Sequence, residues 1–301
     1  MKYNVIQHIT TFCNYDCTYC DVIKDWRNVS KANQELIKSF IRKNHQFINK
    51  YKFFWWEPLL RWKDIKDIID CVSNIIWSRF ELVTNTVFLN SEIGEYFDKF
   101  FEIVFFSIDS ENEFDYIKVF NFIDKFKLEN KVYFNIIISP WKEYQAYSQF
   151  LKLYNNWYKN YNILPVYYTK KWSKHQLLCL SKVLKIIVDA SIDDPEINLY
   201  WFQLNNWYNN SLMNDSLFID TDANLYYTDF VSTFYGKNIQ DALYLWHTWD
   251  NIWLDKLNLS CAKNALQLYE QNLIKSMMWQ KQLHSLMDYF SVYLNARKNE
   301  S

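Results

Sequence analysis

Two glycines, Gly94 and Gly236, are all that this chain of 301 residues contains. Average usage near 7% would supply about 21. A fold with many strand-to-helix turns needs positions at φ > 0 and places of close backbone approach, and glycine supplies both without steric cost. So deep a deficit in a chain of otherwise globular composition needs a cause. Also missing is a surplus of charge of one sign: Lys+Arg 33 against Asp+Glu 34 leaves a net charge of −1. That balance gives no basic footprint for a nucleic-acid backbone, so no nucleic-acid partner is indicated. No apolar run approaches 18 residues, and the start, MKYNVIQHITTFC, reaches cysteine before any leader-like apolar stretch. These absences point away from a membrane span or secretion signal and toward the cytoplasm. In that reducing compartment six cysteines do not read as a disulfide framework.

What is abundant is aromatic: 14 Trp, 23 Tyr and 23 Phe. Short β-branched or aromatic segments recur at Asn4–Thr10, Tyr51–Phe54, Phe80–Thr84, Ile103–Ile108, Val132–Ile138 and Ile163–Tyr168. Helical patterns separate them at about Lys31–Ile48, Trp62–Ile76, Ser91–Phe100, Glu113–Phe126 and Lys142–Tyr158. In the second of these Lys63, Lys66, Asp67 and Asp70 oppose Ile65, Ile68, Ile69 and Val72, the two-faced pattern of a helix lying on a sheet. Six strands alternating with helices predict an α/β fold, a partial (β/α)6 TIM-like barrel of parallel strands. The pattern changes after about residue 190. Leu217–Phe230 reads as a hairpin turning at Asp222, Ala223 and Asn224, and Cys261–Arg297 as a long helical stretch. The expected organisation is therefore a core barrel over 1–190 and a smaller α+β C-terminal extension over 191–301.

Three of the six cysteines, Cys13, Cys17 and Cys20, crowd into a C-x3-C-x2-C spacing directly after the first strand. Three thiolates on one compact loop can each take one iron of a [4Fe-4S] cubane and leave the fourth iron open. Zinc is the competing reading, with His8 or Cys71 as fourth ligand, although the paired C-x2-C arrangement of structural zinc is absent.

At these residues the chain resembles the radical S-adenosylmethionine (SAM) superfamily, whose hallmark is this spacing with an aromatic, here Tyr19, before the last cysteine. The resemblance covers about residues 1–190. It implies one [4Fe-4S] cluster on Cys13, Cys17 and Cys20, with SAM chelating the open iron. Reductive cleavage of SAM then yields a 5′-deoxyadenosyl radical that abstracts hydrogen from substrate. A reductant such as a flavodoxin or ferredoxin is implied as electron partner.

The family's Gly-Gly-Glu-Pro at the end of the second strand corresponds here to Trp55, Trp56, Glu57 and Pro58. The acid and the proline match, and both glycines are tryptophan. Taken literally, two indoles stand where SAM must touch backbone, as expected of a decayed homologue that no longer binds SAM. A different explanation covers the glycine deficit as well. UGA is read as tryptophan in some genetic codes and as glycine in others, and 2 Gly plus 14 Trp comes near the ordinary glycine count. Trp141 after Ser139-Pro140, Trp77 at a helix end, and Trp62 and Trp172 in polar contexts are further candidates for glycine.

Further correspondences follow barrel order. Leu82–Asn85 resembles the family's Thr-Asn-Gly strand end, with Thr86 in the glycine place. Phe105–Ser110 resembles its Ser-x-Asp-Gly motif, which implies a SAM-carboxylate role for Ser107 and a site-facing role for Asp109. Phe134–Ile138 resembles its fifth strand, with Asn135 near the ribose. The hairpin and the following Leu245–Leu257 resemble the start of the extension in peptide-modifying members, but Asp229 replaces the expected cysteine. Cys71, Cys179 and Cys261 are scattered, so a single cluster, a degenerate extension and a peptide or protein substrate are the expectations. The rival from another class is a zinc-binding, non-enzymatic module.

Overall fold

A computed structural model of the chain describes residues 2–20, 26–54, 56–75, 79–109, 114–166, 171–200, 216–227, 244–247, 254 and 278–300. Strands and helices alternate from the start: β1 (Tyr3–Gln7), α1 (Lys31–Asn44), β2 (Ile48–Phe53), α2 (Trp62–Val72), β3 (Arg79–Thr84), α3 (Ser91–Phe100) and β4 (Phe101–Ile108). They continue as α4 (Tyr116–Phe126), β5 (Val132–Ile138), α5 (Glu143–Tyr154), β6 (Asn160–Pro165), α6 (Lys174–Asp193) and β7 (Asn198–Leu199). Then follow β8 (Ser216–Ile219), β9 (Asn224–Tyr227), β10 (Tyr244–His247) and α7 (Met278–Glu300).

Helix starts follow from capping chemistry. Ser30, Asn90 and Asp115 each accept a hydrogen bond from a backbone N–H of the first turn, and Ser173 with Gln176 forms a reciprocal capping box at α6. The two-faced pattern of α2 is realised: Ile65, Ile68, Ile69 and Val72 are fully buried, each worth about 1.5–3 kcal/mol of transfer free energy. Gly94 is needed where α3 meets α4, because a Cβ there would lie 2.3 Å from the Phe126 ring.

The strands form one sheet in the order β10-β9-β8-β1-β2-β3-β4-β5-β6-β7. Pairing is parallel from β8 through β7 and antiparallel across β8-β9 and β9-β10. The sheet is open, with β7 and β10 at its ends, so the six expected strands make the partial barrel without closing it. Several boundaries move. Strand β2 begins at Ile48, because α1 stops at Asn44 and a short 3₁₀ turn bridges them; α5 ends at Tyr154 and α6 is an addition to the expected elements. The hairpin turns at residues 220–223, one or two residues earlier than expected, because Asp220 Oδ1 accepts from the backbone N–H groups of Asp222 and Asn224. Its first strand, β8, lies parallel beside β1. Trp77, Asp229, Cys261 and most of Leu245–Leu257 lie outside the described residues. Among the described residues no helix is long and apolar enough to cross a membrane.

Candidate functional site

Parallel strands place all their C-terminal ends on one edge of the sheet, and the loops leaving that edge form its binding face. The cysteine loop is the first of them. Cys13, Cys17 and Cys20 are each half-buried and free of disulfides. The Cys20 N–H donates to the Cys17 carbonyl at 3.0 Å, and the Tyr15 N–H donates to Cys13 Sγ at 3.4 Å. The loop is strapped to four neighbours. Thr11 N–H donates to Arg27 O at 2.8 Å and Glu57 N–H to Phe12 O at 3.0 Å. Asn85 Nδ2 donates to Asn14 Oδ1 at 2.7 Å, and the Tyr19 hydroxyl donates to Asp109 Oδ2 at 2.5 Å. Burial first, then the Asp109 carboxylate and Cys17, push the Tyr19 hydroxyl far up, so it stays a protonated donor. The Tyr15 hydroxyl is raised by burial and by Cys17, Glu57, Asp109 and Cys13 around it.

Among the described residues no three Cys, His, Asp or Glu side chains are arranged to hold a single metal ion. A cubane takes one thiolate per iron. Three half-buried thiols on a pinned loop, one already receiving a backbone N–H, are a donor set that fits such a cluster.

Glu57 is fully buried at the end of β2. Its Oε1 accepts from Leu59 N–H at 3.0 Å and Thr84 Oγ1 at 2.8 Å; its Oε2 accepts from Asn85 N–H at 2.7 Å. The carboxyl thus ties β2 to β3 and caps the 3₁₀ turn Pro58–Arg61, with Pro58 buried at that turn's first position. Burial outweighs these three donors and raises the carboxyl to about 7. A folded-state value above the unfolded one means that the native state binds the extra proton, so stability falls as pH rises from about 4.5 to about 7 and is flat above that. The span corresponds to about 3 kcal/mol. Glu57→Gln is expected to lose one acceptor at every pH but also to lose this slope. Urea titrations at pH 5 and pH 8 should therefore show the variant gaining on its parent at the higher pH, and an equal difference at both would contradict the assignment.

Ser107, Asn135 and Asn162 stand opposite one another on β4, β5 and β6. Asn162 Nδ2 donates to Asn135 Oδ1 at 2.8 Å, and Asn135 Nδ2 to Ser107 Oγ at 3.4 Å. The structure therefore brings Ser107 and Asn135 together and adds Asn162, whose place opposite Asn135 was readable only with the β5-β6 register known. Asp109 is buried at the end of β4, where Gln149 Nε2 donates to its carbonyl at 3.4 Å. A charged group of three lies on the same face of the sheet: Glu81 accepts from Lys50 Nζ at 2.7 Å, with Lys52 Nζ at 3.7 Å and stacked over Phe105. Thr86 has φ 70, the left-handed region that favours glycine.

Trp55 lies outside the described residues. Trp56 has φ 48, its ring meets His8 edge-on at 4.6 Å, and its Nε1 is buried without a partner. His8 is buried beside Phe218, and burial, then Arg27, lower its pKa so that the ring is neutral. Cys71 is on α2 against Arg42, and Cys179 is on α6, 3.7 Å from His175.

Residues 8–127 match the Radical SAM superfamily model. Over this stretch the chain is similar to radical SAM domains. The radical SAM cyclopropyl synthase TigE of Paramaledivibacter caminithermalis is 26% identical over 125 residues, which are 35% of this chain and 26% of that protein's length. Solved structures share the fold. Native anSMEcpe with bound AdoMet and Kp18Cys peptide superposes with a TM-score of 0.73 at 13% identity, covering 99% of this chain and 100% of that one. SuiB of Streptococcus suis bound to precursor peptide SuiA gives 0.60 at 15% identity, covering 88% and 71%. The radical SAM match begins at His8 and takes in the cysteine loop, Glu57, Ser107 and Asp109; Asn135 lies beyond it.

Proposed function

We propose that this chain is a radical SAM enzyme that abstracts hydrogen from a peptide or protein side chain. The observation that carries the reading is the pinned Cys13–Cys17–Cys20 loop on the binding edge of a parallel sheet, inside the stretch that matches the radical SAM model. In this reading the three thiolates hold a [4Fe-4S] cluster, which when bound supplies the electron that cleaves SAM to a 5′-deoxyadenosyl radical. The protein's part is placement. Tyr19, Asn14 and Phe12 fasten the loop to β4, β3 and β2. Glu57 spends its oxygens on joining β2 to β3, so it sets the backbone over which SAM lies. Ser107, Asn135 and Asn162 offer a line of neutral hydrogen-bonding groups across three strands, suited to the polar atoms of SAM's carboxylate and ribose.

A peptide substrate is supported by relatives whose structures hold one, the Kp18Cys peptide in anSMEcpe and SuiA in SuiB. The expected result is reductant-dependent 5′-deoxyadenosine from anaerobically reconstituted protein, with deuterium carried into it from a side-chain-deuterated peptide. Zinc bound without sulfide, and no 5′-deoxyadenosine, would favour the non-enzymatic module instead.

A further inference from the structure

Seven non-glycine residues among those described have φ between 48° and 72°, and four of them are tryptophan: Trp26, Trp56, Trp141 and Trp157. Left-handed backbone is uncommon for any residue with a Cβ and a genuine outlier for a bulky one. Chance placement of a large aromatic does not select that region. Local hydrogen bonding says what each position is.

Ser139-Pro140-Trp141-Lys142 is a turn closed by Lys142 N–H on Ser139 O at 3.0 Å, with proline second and φ 72 third. That is the arrangement of a type II turn, whose third residue is glycine by steric demand. At the end of α5, Tyr158 N–H donates to Leu153 O at 3.3 Å and Trp157 N–H to Tyr154 O at 3.0 Å, with φ 67 at Trp157. This is a Schellman motif, and Trp157 holds its glycine position. Trp26, with φ 59, stands where the chain returns from the cysteine loop to pair Arg27 with Thr11. Trp56, with φ 48, lies between Phe54, bonded to Gln7, and Glu57, bonded to Phe12.

Side-chain surroundings agree with the backbone. Trp26, Trp141 and Trp157 leave 61%, 71% and 82% of their surface in solvent, which is poor use of the largest apolar side chain. The Trp56 Nε1 is buried with no acceptor, next to a His8 Nε2 in the same condition. Trp172 is the contrast: it is 1% exposed and donates from Nε1 to Val166 O at 2.9 Å, as a genuine core tryptophan does.

We infer that residues 26, 56, 141 and 157 are glycine in the working protein while residue 172 is tryptophan, the gene using UGA for the first and UGG for the second. The expectation that Trp172 belongs with the glycines is thereby corrected, because it is packed and hydrogen-bonded; Trp62, although its Nε1 is also buried without a partner, stands on right-handed helical backbone that does not call for glycine. At position 56 the exchange removes the indole that abuts the buried, neutral His8 ring. None of this depends on the proposed activity, because turns and helix caps carry the argument.

Two measurements test it. The codons at the five positions, with peptide masses of the protein isolated from its native host, should show UGA and glycine at 26, 56, 141 and 157 and UGG and tryptophan at 172. Any other assignment at 26, 56, 141 or 157, or glycine at 172, overturns the partition. In recombinant protein made with tryptophan at all five, Trp141→Gly and Trp157→Gly should each raise Tm by about 2 °C or more, and Trp172→Gly should lower it by at least about 5 °C. If the tryptophan-bearing chain does not fold, the same positions are compared by restoring tryptophan singly to a chain with glycine at 26, 56, 141 and 157. A fall in Tm with glycine at 141 and 157 overturns the inference.

Discussion

Cys17→Ala is expected to remove both the iron-sulfur chromophore and reductant-dependent 5′-deoxyadenosine, lowering product formation by at least about 10²-fold, since even outer-shell partners of a metal centre are worth 10–100-fold. The loop has anchors besides this side chain, whose thiol also hydrogen-bonds Tyr19. The Cys17 carbonyl accepts from Cys20 N–H, and the loop's anchors are Tyr19, Asn14, Phe12 and Thr11. A half-buried thiol also costs little to truncate. Far-ultraviolet circular dichroism and Tm should therefore match the parent while absorbance near the charge-transfer bands disappears. Cys179→Ala, on α6 beside His175, is the control that should leave both signals intact. Product persisting in Cys17→Ala at the parental level refutes the cluster assignment.

Trp55→Gly/Trp56→Gly carries the second large effect: SAM binding to reconstituted protein, measured by equilibrium dialysis, is expected to tighten at least about 100-fold, which is about 3 kcal/mol. The indole of Trp56 is packed on His8 with its Nε1 buried and unsatisfied. Its removal opens room for a ligand and relieves a left-handed tryptophan. The polar line Ser107–Asn135–Asn162 is untouched by the change. Equal affinity before and after would show that residues 55 and 56 do not border the SAM site.

Much of the scaffold is legible without coordinates because it depends on neighbours in sequence. The apolar stripe of α2 and the caps at Ser30, Asn90 and Asp115 act within one or two helical turns. Strand β5 is bounded as expected because its run VYFNIII is β-branched or aromatic at every position but Asn135 and is buried or half-buried along its length. The start of β2 was misplaced because Ile48 joins the sheet through a bulged pairing with Tyr3, a contact across 45 positions. Asn162 and the Glu81–Lys50–Lys52 group escaped for the same reason, since a polar residue inside a strand declares its purpose only when the facing strand is known.

By itself the sequence determined the cysteine spacing, the alternation of strand and helix, and the anomaly of two glycines against fourteen tryptophans. Each is a matter of composition or of local period. Tertiary structure decided which tryptophans stand on left-handed backbone, that Glu57 is consumed by Leu59, Thr84 and Asn85, and that β8 lies beside β1. The physical reason is shared. A φ value at a turn is set by where the returning chain must pair, and a buried carboxyl is defined by the donors that other strands bring to it.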